Sequence, residues 1–77
     1  APVHVLLLPK THCDNVTKCD PELLGYMMSK IQVIAEKTGI MESGFRVVIN
    51  TGKDGGQTVN HLHIHIIGGK ELGWPPC

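Results

Sequence analysis

Apolar residues fall into four separated blocks along the chain, and each block has its own spacing. The first is unbroken within His4-Val5-Leu6-Leu7-Leu8 and stops at Pro9; a run this short and continuous predicts a strand buried on both faces rather than a helix. Polar connecting chain follows from Thr11 to Lys18. In the second block Leu23, Leu24, Met27, Met28, Ile31, Ile34 and Ala35 recur at intervals of three and four, the repeat of a helix whose single apolar stripe lies on a sheet. Its ends are marked by Asp20 as N-cap, Pro21 at the first helical position, Glu22 in the first turn and Gly39 as the stop. The two methionines are expected as pliable filler between helix and sheet. Phe45 to Asn50, rich in valine and isoleucine, predicts a second strand, and Thr51 to Gln57, holding Gly52, Gly55 and Gly56, predicts a loop. The fourth block, Thr58 to Ile67, predicts a third strand that ends at Gly68-Gly69, while Trp74-Pro75-Pro76 fits neither a helix nor an interior strand. No repeat, low-complexity tract or second domain interrupts this order. The expected fold is therefore α+β, an antiparallel sheet with one helix packed across it.

The fourth block also carries the chemistry. In His61-Leu62-His63-Ile64-His65-Ile66-Ile67 a strand would place the three imidazoles on one face, about 6.5 Å apart along the chain, and Leu62, Ile64 and Ile66 on the other. Burying the polar rings in a core would cost free energy, so the histidine face should line a cleft or solvent. Two chemistries use such a row. Alternating histidines on a strand can supply two zinc ligands, with His65 or His4 as a third. Alternatively, one neutral imidazole attacks phosphorus while its neighbours orient it and offset developing charge. An unperturbed histidine pKa of ~6.5, pushed lower by neighbouring potential cations, suits the second role. The preceding loop, Asp54-Gly55-Gly56-Gln57-Thr58, adds weight to phosphorus chemistry: glycines let backbone N–H groups approach an anion, and Gln57 and Thr58 add neutral donors. The same loop also serves as an ordinary turn between antiparallel strands, and Lys53 is read as solvated.

Composition narrows the ligand. The chain has 77 residues, with 7 basic against 7 acidic, so it lacks the positive excess that would draw it to a nucleic acid or an anionic membrane. A single domain of this size buries only ~60% of its unfolded surface, which favours help from a partner subunit. No apolar run approaches the ~20 residues of a membrane span and no signal peptide precedes the first strand, so a soluble protein is expected. Cys13, Cys19 and Cys77 form neither a CxxC pair nor an even-numbered framework, which predicts unpaired thiols in a reducing compartment.

Asn50-Thr51-Gly52, Asp54-Gly55-Gly56-Gln57-Thr58 and His61-Leu62-His63-Ile64-His65-Ile66-Ile67 together resemble the histidine triad, or HIT, superfamily. Gly68-Gly69 with Trp74-Pro75-Pro76, Ala1-Pro2-Val3-His4 and Pro9-Lys10-Thr11-His12 resemble its Hint branch, the histidine triad nucleotide-binding proteins, and the resemblance spans essentially the whole chain. His65 stands where uridylyltransferase relatives carry glutamine, and the tail departs from the dinucleoside polyphosphate hydrolase branch. The resemblance implies that His63 is a nucleophile forming a nucleotidyl-histidine intermediate that water resolves, and that His61 orients it. It implies that His65, Asn50, Gln57 and Thr58 contact the α-phosphate or leaving group, that Gly56 gives close backbone access, and that His4 braces the cluster from the adjacent strand.

No cofactor or metal is implied. The implied substrates are purine nucleoside phosphoramidates such as adenosine 5′-monophosphoramidate, and the implied assembly is a homodimer in which Trp74 reaches toward the partner's site. A cytoplasmic location, and also a nuclear one, is expected. Residues 1–77 are expected to form one HIT domain that lacks the family's N-terminal helix and strands, leaving a sheet edge uncovered. Cys77 replaces a usual glycine, and Cys13 and Cys19 are expected to be incidental. Two rival expectations are a nucleotide-binding or interaction protein with little catalysis, and a zinc-binding protein using the histidine row.

Overall fold

The computed structural model describes residues 1–75. Its elements are β1 (Val3–Leu7), α1 (Pro21–Thr38), β2 (Phe45–Ile49) and β3 (Ile64–Gly68). The last strand in sequence is central: the order is β1-β3-β2, and β3 pairs antiparallel with both neighbours. The helix covers one face, which confirms the expected α+β architecture.

Helix limits follow local chemistry. Asp20 accepts a hydrogen bond from the Glu22 N–H at 2.9 Å, satisfying one of the donors that a helix start leaves free. At the other end Gly39 takes φ 76°, a left-handed conformation that glycine adopts without a Cβ penalty, and the Ile40 N–H returns to the Ala35 carbonyl at 3.0 Å. Beneath the helix Met27, Leu62 and Ile64 belong to one buried cluster, and Ala35, Ile40 and Ile66 form a second. Ile40 seats directly on Gly68, where an added Cβ would come within 3.1 Å of its side chain. A larger residue at the end of β3 would therefore press against the chain that follows α1.

Three expectations are corrected. β1 is buried on one face only: Val3, Val5 and Leu7 are half-buried, whereas His4 and Leu6 are exposed, because the helix covers a single side of this edge strand. Of the two methionines only Met27 fills the core, at 3% exposure; Met28 turns outward at 41%. β3 begins at Ile64 rather than Thr58. Ile64 pairs with Leu7 on one side and Ile49 on the other, the last residues of β1 and β2; residues 58–63 have no strand beside them to pair with. The inward and outward alternation nevertheless continues, with Leu62 buried and His61 and His63 half-buried. Among the described residues no helix is long and apolar enough to cross a membrane.

The expectation of unpaired thiols is also corrected. Cys13 and Cys19, six residues apart, are disulfide-bonded with Cα atoms separated by 5.3 Å, and both are buried. Asn15 folds the intervening chain back on itself: its carbonyl accepts from the Lys18 N–H at 3.0 Å and its side chain from the Thr17 N–H at 2.9 Å. Cys77 lies outside the described residues. Closing so short a loop is worth about 2 kcal/mol in a chain-entropy estimate. The double variant Cys13→Ser, Cys19→Ser should accordingly lower unfolding stability by about that amount in urea while leaving helix content unchanged; an unaltered midpoint would show that the bond braces nothing.

Candidate functional site

Residues paired across an antiparallel ladder share a face. The rows His4, Ile67, Arg46 and Leu6, His65, Val48 therefore lie together on the side of the sheet opposite α1. Burial of Ile64 and Ile66 under the helix is what turns His65 outward, and burial of Leu62 does the same for its neighbours His61 and His63.

The histidines form two hydrogen-bonded pairs. His4 Nε2 lies 2.8 Å from His65 Nδ1. This contact is a diagonal between neighbouring strands, since the direct partner of His65 is Leu6, two residues further along β1. The His63 ring meets His65 edge-on at a centroid separation of 5.1 Å. His63 Nδ1 lies 2.9 Å from the His61 carbonyl; because a carbonyl only accepts, Nδ1 carries the proton and Nε2 of a neutral ring is left with a free lone pair. The His65 pKa is lowered from its ordinary value, first by burial and then by the neighbouring His63 and His4. These causes favour the uncharged form of His65.

His61 departs from the expected side-by-side row. It acts on His63 through its carbonyl, while its own ring stacks on His12 at 4.9 Å, with the two Nδ1 atoms 2.9 Å apart. His12 in turn bonds the Asp14 carboxylate through Nε2 at 2.8 Å. Sequence reading assigns His12 and Asp14 to polar connecting chain. The local signal is a histidine two residues from a carboxylate, which does not reveal a partner 49 positions away.

The glycine loop is held by the side chains expected to serve the ligand. Asn50 donates to the Gly55 carbonyl at 2.6 Å. Gln57 accepts from the Gly52 N–H at 2.9 Å and donates to the carbonyls of Asp14 at 2.6 Å and Val59 at 3.0 Å. Both Gln57 donors are thus committed to protein, and its place here is as the fastener between the glycine loop and the loop after β1. Gly55 is required by packing, since a Cβ there would run into the Thr51 carbonyl, and Gly56 by its φ of 77°. Thr58 is exposed. Trp74 is 79% exposed and is tethered by Arg46, which lies over its ring at 5.7 Å and donates to the Gly73 carbonyl at 2.9 Å. Among the described residues no group of three or more histidine, cysteine or acidic side chains is arranged to hold a metal ion.

Comparison with known proteins gives this geometry its relatives. An uncharacterized HIT-like protein of Synechococcus elongatus is 49% identical over 79 residues, covering 99% of this chain and 68% of that protein. A 14 kDa zinc-binding protein of Zea mays is 43% identical over 82 residues, covering 99% of this chain and 62% of that one. The crystal structure of a HIT family hydrolase from Legionella pneumophila Philadelphia 1 superposes with a TM-score of 0.94 at 36% identity, covering 100% of this chain and 71% of that one. The chain thus spans about two thirds of the length of such relatives. With the HIT domain model matched over residues 1–72, this chain belongs to the HIT domain family.

Proposed function

We propose that this chain hydrolyses the P–N bond of purine nucleoside 5′-phosphoramidates, with His63 as nucleophile. The observation that carries the reading is the 2.9 Å contact from His63 Nδ1 to the His61 carbonyl, which leaves Nε2 as a free lone pair on a ring beside His65. Nε2 bonds to the α-phosphorus as the bond to the leaving nitrogen breaks, and the amine departs with the electron pair and a proton taken from solvent water. Water then attacks the same phosphorus and returns a proton to solvent, the Nε2–P bond breaks with its electron pair going back to Nε2, and the neutral imidazole is regenerated with release of the nucleoside monophosphate. Exposed backbone of the glycine loop and the remaining polar groups of Asn50 and Thr58 receive the phosphate, and His4 steadies His65. The proposal includes a homodimer, in which the Trp74 side chain, 79% exposed, is available to a partner's site.

His63→Ala should abolish amine release from adenosine 5′-monophosphoramidate, by at least about 10³-fold in kcat/KM, while calorimetry still records binding of the nucleoside monophosphate. Turnover that survives this change would remove the mechanism, and binding without turnover in the unaltered chain would favour a nucleotide-binding role. The name of the maize relative favours a zinc reading. Against it, no group of three or more histidine, cysteine or acidic side chains is arranged to hold a metal ion among the described residues. Elemental analysis of untagged protein should find zinc well below one per chain; stoichiometric zinc lost on changing His61 or His63 would reverse that order.

The lowered His65 pKa has a definite sign in stability. The folded chain binds fewer protons than the unfolded chain between the depressed value and the unfolded value of ~6.5, so stability should rise with pH across that window and level off above it. NMR titration of the His65 ring beside urea midpoints, run between about pH 5 and pH 8, checks both parts. The effect should be small, because the ring is only partly withdrawn from water.

A further inference from the structure

The segment carrying His61 and His63 lies outside the strand ladder, so something other than sheet pairing must hold it. Three contacts from the loop after β1 take that role. The Leu62 N–H donates to the Cys13 carbonyl at 2.8 Å, Gln57 donates to the Asp14 carbonyl at 2.6 Å, and the His12 ring bonds the His61 ring at 2.9 Å. The Cys13–Cys19 bond closes this loop at its base.

Proton order along the last of these contacts is dictated by its far end. The Asp14 carboxylate only accepts, so the His12 Nε2 that lies 2.8 Å from it carries a proton. A neutral His12 then has a bare Nδ1, which can only accept, and the His61 Nδ1 at 2.9 Å must donate to it. His61 is thereby fixed as the Nδ1–H tautomer with Nε2 bare. Its ring is pinned by that bond and by stacking at 4.9 Å, and its carbonyl is the acceptor that sets the tautomer of His63.

We propose that Asp14 and His12 are positioning residues for the nucleophile, an Asp14–His12–His61 relay that fixes the ring and tautomer of His61 and, through its carbonyl, the orientation of His63. Neither residue touches the reacting atoms. Their side chains are 60% and 62% exposed, and a polar contact at that exposure adds little to stability, so its consequence belongs to the site. The effect on turnover rests on the histidine-nucleophile reading given above; the tautomer assignment does not.

Two-bond proton–nitrogen NMR spectra of the imidazoles, recorded on the whole chain, test the relay directly. The unaltered chain should show His61 protonated at Nδ1 and His12 at Nε2. His12→Ala, Asp14→Ala and His12→Phe should each move His61 to a mixture of tautomers. The phenylalanine keeps a ring stacked on His61 without its nitrogens, which separates hydrogen bonding from packing. With adenosine 5′-monophosphoramidate, kcat should fall about tenfold at unchanged KM, and Asp14→Glu should restore most of it. A His61 tautomer unchanged in His12→Ala and His12→Phe overturns the relay, as does a lost tautomer with kcat unchanged. If the unaltered chain shows no turnover, the hydrolase reading fails, and the spectra alone then decide whether the relay exists.

Discussion

Ile64 and Ile66 are fully buried beneath α1 at the centre of a three-stranded sheet, and the period-two geometry of extended backbone converts that burial into a functional face. Sliding the strand by one residue would drive the imidazoles under the helix and expose both isoleucines, at roughly 1.5–3 kcal/mol for each side chain. Register is therefore fixed by the core, and the position of His65 is a by-product of packing. Gly68 and Ile40 reinforce the same register from the strand's end, since the isoleucine fits closely only where the side chain is absent.

The site divides where the ladder stops. His4 and His65 stand on neighbouring strands and inherit the rigidity of the sheet, with their rings 2.8 Å apart at the nearest nitrogens. His61 and His63 stand beyond Leu7 and Ile49, where neither edge strand continues. There the loop between β1 and α1 replaces a strand, giving one backbone acceptor to Leu62, one to Gln57 and a ring to His61. A disulfide in that loop is then intelligible, because a segment with neither helix nor ladder bonds needs another source of order.

Local patterns are legible in the sequence and remote pairings are not. The helix caps at Asp20 and Gly39, the stripe containing Met27 and Ala35, and the facing of Leu62, Ile64 and Ile66 depend on residues close in sequence, and all are read directly from spacing. The exposure of Leu6 depends on β1 being an edge strand with a helix on one side only, which no run of apolar residues reveals. The late start of β3 likewise depends on where its partners end. A count of three cysteines argues against pairing, whereas the deciding fact is the turn at Asn15 that brings Cys13 and Cys19 together. His12 and Asp14 escape a reading by spacing for the same reason: the partner of their pair is set by tertiary structure.

Histidines paired with one another do something that a cluster of lysines could not. Each nitrogen-to-nitrogen contact, His4 to His65 and His12 to His61, holds one proton between two rings and requires a bare nitrogen on one side. Burial, then the neighbouring His63 and His4, lower the pKa of His65 and favour its uncharged form. A chain with equal numbers of acidic and basic residues thus presents several imidazoles in close contact. Fixed cations would hold a phosphate more strongly in the ground state, but uniform binding does not accelerate bond breaking; a bare ring nitrogen, kept bare by its neighbours, is the group that can form a bond to phosphorus and give it up again.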